Sequence, residues 1–148
     1  MRWRDVEPEL AAVVRAEFER RDVVLVGTLT RDGAPRISGV AARFLDGELW
    51  LGMMWQSRKA VDLRRDPRLV LHSPICENSG ETLEAIVRGR AVETADRDWF
   101  REAVPDPWGE LFHLFRVDVE TVGTIRYAGG EQHVRVWPGG TELRRRYE

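Results

Sequence analysis

The stretch Trp55-Gln56-Ser57-Arg58-Lys59-Ala60 sets a hydroxyl, a guanidinium and the chain's only lysine in consecutive positions. They fall where a strand-like run gives way to a helical one. The first N–H groups of a helix have no intrahelical acceptor, and that end carries a partial positive charge. A serine hydroxyl, a forked guanidinium and a compact ammonium at that point make a cradle for a phosphate dianion. Arg36, on an earlier strand, can join them from a neighbouring wall. Basic residues near a helix start are also common on solvated surfaces, so the spacing alone leaves both readings open. Of the 23 basic residues 22 are arginine. Codon bias accounts for that excess, but not for why the one lysine directly follows Ser57-Arg58.

Other chemistry has less support. His72, His113 and His133 are scattered without metal-ligand spacing and read as structural or surface histidines, so no metal site is expected. Cys76 has no evident partner and reads as an inert thiol. A single cysteine forms no intrachain disulfide and fits a reducing, cytoplasmic setting. No Ser-His-Asp order and no paired carboxylates can be assembled, which removes hydrolase chemistry. The 148 residues carry 23 basic against 25 acidic side chains, for a net charge of −2. That balance disfavours a nucleic-acid binder. Residues 1–8 are charged and lack an apolar core, so no signal peptide is expected. The longest aliphatic run, 23–26, is far too short to span a membrane.

The elements that must position these residues are mostly strands. A helix is expected over 7–21, with apolar Leu10, Val13, Val14 and Phe18 on one face and Pro8 in its first turn. The β-branched run 23–30 predicts a strand. Asp32-Gly33 and Asp46-Gly47 are hairpin turns, giving return strands over 36–45 and 48–54. Ser57 is a candidate N-cap for a short helix ending before Pro67. Strands are expected over 68–73 and 81–94, the second bent at Gly89. A loop falls at 75–80 and a helix at 96–103, ended by Pro105-Asp106-Pro107. Alternation predicts strands over 112–126 and 132–137, followed by a polar, mobile tail from Pro138 that includes Arg144 to Arg146. Residues 1–148 therefore read as one domain, mainly β (α+β): an antiparallel, six- to seven-stranded split β-barrel with short flanking helices.

Two segments give this pattern a family likeness. They are the hairpin Thr28-Leu29-Thr30-Arg31-Asp32-Gly33-Ala34-Pro35-Arg36-Ile37-Ser38, and Ser57-Arg58-Lys59-Ala60 with Arg64-Arg65-Asp66-Pro67-Arg68. Gly89-Arg90-Ala91-Val92 and Leu114-Phe115-Arg116-Val117-Asp118 extend it. The sequence resembles the pyridoxamine 5′-phosphate oxidase-like proteins, a flavin-binding split-barrel family, from about residue 23 to 126. The resemblance implies a homodimer with FMN in clefts at the subunit interface and oxidoreductase activity on an unspecified small molecule. It implies phosphate contacts from Ser57, Arg58 and Lys59, with Arg36 on the strand beside them. It also implies that Leu51, Gly52 and Met53 run along the flavin ring, with Trp50 and Trp55 flanking them. The chain departs from vitamin-forming oxidases at Ala41, Gly52, Met53 and Glu84, and it lacks their C-terminal substrate signature. Those departures point away from pyridoxamine-phosphate oxidation. They leave two alternatives: a reductase using the deazaflavin coenzyme F-420, or a non-catalytic flavin-binding protein on the same fold.

Overall fold

A computed structural model describes residues 1–75, 83–104 and 109–147. Cys76, Trp108 and most of the 75–80 loop lie outside the described residues. A 3-10 turn (Trp3–Asp5) leads into helix α1 (Pro8–Phe18). Strands β1 (Val24–Leu29), β2 (Pro35–Leu45) and β3 (Glu48–Met54) follow as an antiparallel meander. Helix α2 (Arg58–Arg65), strand β4 (Arg68–His72), strand β5 (Leu83–Glu93) and helix α3 (Asp98–Ala103) come next. Strands β6 (Phe112–Ala128), β7 (Glu131–Trp137) and β8 (Thr141–Arg146) complete the chain.

All strands join one sheet in the order β3-β2-β1-β4-β5-β6-β7-β8, and β3 also pairs with β6. That extra pairing closes six strands into a ring, a split β-barrel with short helices on its flanks. Among the described residues the strand count is eight rather than six to seven. The difference is the tail: Thr141–Arg146 pairs with β7 from Val136↔Thr141 to Glu131↔Arg146. Gly139 and Gly140, at φ 104° and 61°, turn the chain back. A strand edge offers unpaired main-chain groups to any extended segment, whatever its side chains. Helix α1 stops at Phe18, short of residue 21, because residues 19–22 offer nothing apolar to bury.

Two departures from regular pairing shape the barrel. β2 pairs with β1 through Pro35 to Val40 and with β3 from Ala41 to Leu45. Beyond Gly52, the edge of β3 that faced β2 therefore has no ladder partner. The second departure is the expected bend at Gly89, where the β5–β6 register shifts. A Cβ there would meet the Asp118 carbonyl oxygen at 2.2 Å, so only glycine permits that approach.

Val24, Val26, Leu51, Met53, Leu71, Val87, Phe115 and Val117 fill the barrel interior, and α1 adds Leu10, Val14 and Phe18. Each such side chain contributes roughly 1.5–3 kcal/mol relative to exposure. A second cluster, Phe100, Val104, Phe112 and Leu114 with Trp50 and Trp99, packs α3 outside the ring. Among the described residues no helix is long and apolar enough to cross a membrane.

Candidate functional site at the start of helix α2

The chain leaves β3 through a β-turn, closed by the Ser57 N–H donating to the Met54 carbonyl at 3.1 Å. Gln56 sits in this turn at φ 56°, a conformation that side chains disfavour. Its N–H donates to His113 Nε2 at 3.1 Å. With Nε2 accepting, Nδ1 must carry the ring proton, and it lies 2.6 Å from Glu93 Oε1. Glu93 in turn holds Arg64 of α2 at 2.9 Å. His113 is fully buried, and the Trp55 ring stacks on it at 4.4 Å and 7°. The turn is thus pinned from β5, β6 and the far end of α2.

Ser57 occupies the N-cap position, as expected, but its side chain makes no capping bond. Its Oγ is buried without a hydrogen-bond partner. The first main-chain bond of the helix is Val61 N–H to the Ser57 carbonyl at 3.0 Å. The N–H groups of Arg58, Lys59 and Ala60 precede it and have no intrahelical acceptor. Lys59 is partly buried, and no carboxylate pairs with it among the described residues. Burial holds its amine below the ordinary lysine value of 10.5. Arg58 is exposed and likewise unpaired. Ser57, Arg58 and Lys59 thus come together as donors around one helix terminus.

Arg36 reaches this helix through a residue that sequence reading missed. Asp62, 2% exposed, lies under α2. Its Oδ2 accepts from Thr28 Oγ1 at 2.8 Å and from Arg36 Nε at 2.7 Å. Its Oδ1 accepts from Arg65 Nη2 at 3.0 Å. Burial opposes ionisation of Asp62, but bonds from Arg36, Thr28 and Arg65 outweigh it and hold the carboxyl below the usual 3.8. Arg36 spends Nε on Asp62 and keeps its two terminal nitrogens without partners. Lys59 and Asp62 are three residues apart on α2 and so neighbour one another on its surface.

Leu51 and Met53 turn their side chains into the core, and Gly52 is buried between them. Ladder partners flank Leu51 and Gly52 on both sides, from β2 and β6. Met53 and Met54 pair with β6 alone, so their other edge opens beside the start of α2. Trp50 packs against Trp99, whereas Trp55 remains 44% exposed next to the turn. Among the described residues no group of His, Cys, Asp and Glu could hold a metal ion. The arrangement suits an anion: free N–H groups, an orphaned hydroxyl and two unpaired cations converge without a nearby competing carboxylate except the saturated Asp62.

No family model and no curated protein matches the sequence. Solved structures do match the fold. PhzG from Burkholderia lata, in complex with tetrahydrophenazine-1-carboxylic acid, is 15% identical with a TM-score of 0.62. That match covers 99% of this chain and 95% of that one. A general stress protein 26-related protein of the pyridoxinephosphate oxidase family, from Clostridium acetobutylicum, is 13% identical with a TM-score of 0.55. It covers 96% and 97% of the two chains. A heme-binding protein from Mycobacterium smegmatis is 19% identical with a TM-score of 0.65, matching 95% of this chain but 59% of its own. The chain therefore has the split-barrel fold of pyridoxamine-phosphate-oxidase-like proteins.

Proposed function

We propose that the chain is an FMN-dependent oxidoreductase whose start of α2 grips the flavin phosphate. The observation that carries this reading is the buried, unpartnered Ser57 Oγ beside free helix N–H groups and an unpaired Lys59. A buried polar atom without a partner costs about 1–3 kcal/mol, which a bound phosphate oxygen would recover. Arg58, Lys59 and the terminal nitrogens of Arg36 would complete the grip. The open edge of Met53 and Met54 offers main-chain groups to the ring system, with Leu51 and Gly52 behind them. FMN, when bound, would supply the redox chemistry, leaving the protein to hold and orient it and exclude water.

The same reading takes the chain as one flavin-binding domain acting as a homodimer. Its support is the outer face of β2, β1, β4 and β5. The cross-strand rows Gly39–Leu25–His72–Ile86 and Ile37–Gly27–Val70–Arg88 are largely apolar. Ile37 is 74% exposed, although an outward barrel face is ordinarily polar.

Titration of FMN into the purified protein tests the grip. Lys59→Ala and Arg58→Ala are each expected to weaken binding by about 1–3 kcal/mol, roughly fivefold to 150-fold. The pH profile gives a second readout. Because burial lowers the Lys59 amine below 10.5, its cation is lost earlier than usual as pH rises. FMN affinity should fall in that range for the wild type and stay flat for Lys59→Arg. Unchanged affinity in both alanine variants would place the phosphate elsewhere.

A further inference from the structure

A second concentration of positive charge lies away from α2. Arg126, His133 and Arg144 are direct cross-strand neighbours on β6, β7 and β8. At about 4.8 Å per strand, the two arginines flank His133 with their Cα atoms about 10 Å apart. Cationic residues in one cross-strand row repel unless something sits between them. Neither Arg126 nor Arg144 has an ion pair or side-chain hydrogen bond among the described residues. His133 contacts Glu131 at 3.1 Å.

This row forms one wall of a cleft of about 240 Å³. Val13 of α1 and Leu83 of β5 give it apolar surface above the buried Leu10, and Val13 is exposed there. Arg135 also lines it and is held at 3.1 Å by Glu7, the residue that caps α1, which fixes the helix start against β7. The lining contains three arginines and one carboxylate, Glu142, in a chain of net charge −2. An isolated basic row would suit any anion, and an isolated apolar trough would suit any oil. Side by side at this volume, below the usual range for drug-sized ligands, they suit a small molecule with both parts.

We propose that the cleft between α1 and β6–β8 binds a medium-chain carboxylate. Its head would lie between Arg126 and Arg144, and its chain against Val13 and Leu83. This site is separate from the start of α2, and the inference does not rest on flavin binding.

The test is an NMR titration of the isotopically labelled protein with octanoate, alongside acetate and 1-octanol. Octanoate should saturate and shift the amides of α1, β7 and β8. Acetate, lacking the chain, and octanol, lacking the charge, should each bind at least about tenfold more weakly. The double variant Arg126→Ser with Arg144→Ser changes two exposed positions and should weaken octanoate by a similar factor, with an unaltered fold by circular dichroism. The proposal is overturned by any of four results: no saturation up to about 10 mM octanoate, shifts confined to other surfaces, equal affinity for either control, or unchanged affinity in the double variant.

Discussion

Asp62→Ala is expected to lower the free energy of unfolding by about 1.5–3 kcal/mol, the usual worth of hydrogen bonds to a charged group, since Arg36 and Arg65 are about one third exposed and can turn to water. The carboxylate joins three elements: Thr28 on β1, Arg36 on β2 and Arg65 on α2 itself. Its loss strands Arg36 and Thr28 without their acceptor. Alanine improves helix propensity by at most about 0.7 kcal/mol, too little to compensate. Urea unfolding followed by circular dichroism measures the difference, and a loss under about 1 kcal/mol would contradict the geometry. The same variant should bind FMN less well, because α2 carries Lys59 and Asp62 ties it to the strand bearing Arg36. The wild type has a matching acid limit. The folded-state pKa of Asp62 lies below 3.8, so its stabilisation is complete above that value. It is lost as pH falls further, through the folded value.

Ile37→Asp is expected to convert a dimer into a monomer. Wild-type protein should elute with twice the 17.1 kDa chain mass in light-scattering chromatography, and the variant with the single mass. A two-fold interface presents the same patch from both subunits, so each dimer carries the substitution twice. Each copy forfeits roughly 1.5–3 kcal/mol of apolar burial and adds a carboxylate that must be desolvated. The combined effect should weaken the dimer by about a thousandfold or more. Ile37 is already 74% exposed, so the monomer's own fold should be little changed. FMN affinity should fall with dimerisation if the cofactor cleft lies at the interface. A variant that remains dimeric would exclude this face.

Much of the barrel was legible in the sequence, for local reasons. Asp46-Gly47 and Gly33 adopt the positive φ that their turns require, at 53°, 73° and 81°. A β-branched run marked β1, two-residue alternation marked β6, and the bend at Gly89 falls where the β5–β6 register shifts. The final strand was not legible, because Thr141–Arg146 is exposed throughout and has no apolar alternation. Only the edge of β7 makes it a strand.

The donors Ser57, Arg58 and Lys59 are adjacent in sequence, and so their junction could be read directly. The groups that fix them could not. Asp62 meets Thr28 and Arg36 across 34 and 26 positions, and Gln56 meets His113 across 57. A signal was present for both. Asp62 shares the buried side of α2 with Ala60 and Leu63, and His113 interrupts the apolar run Phe112-His113-Leu114-Phe115. A polar side chain in such a place needs a buried partner, but sequence does not say which one.

On the function proposed above, the start of α2 recognises a flavin by its phosphate. Parallel fluorescence titrations with FMN and riboflavin, which differ only in that phosphate, test it most directly. FMN should bind saturably and riboflavin more weakly by about a hundredfold. Equal affinity for the two, or no binding of either, would contradict it.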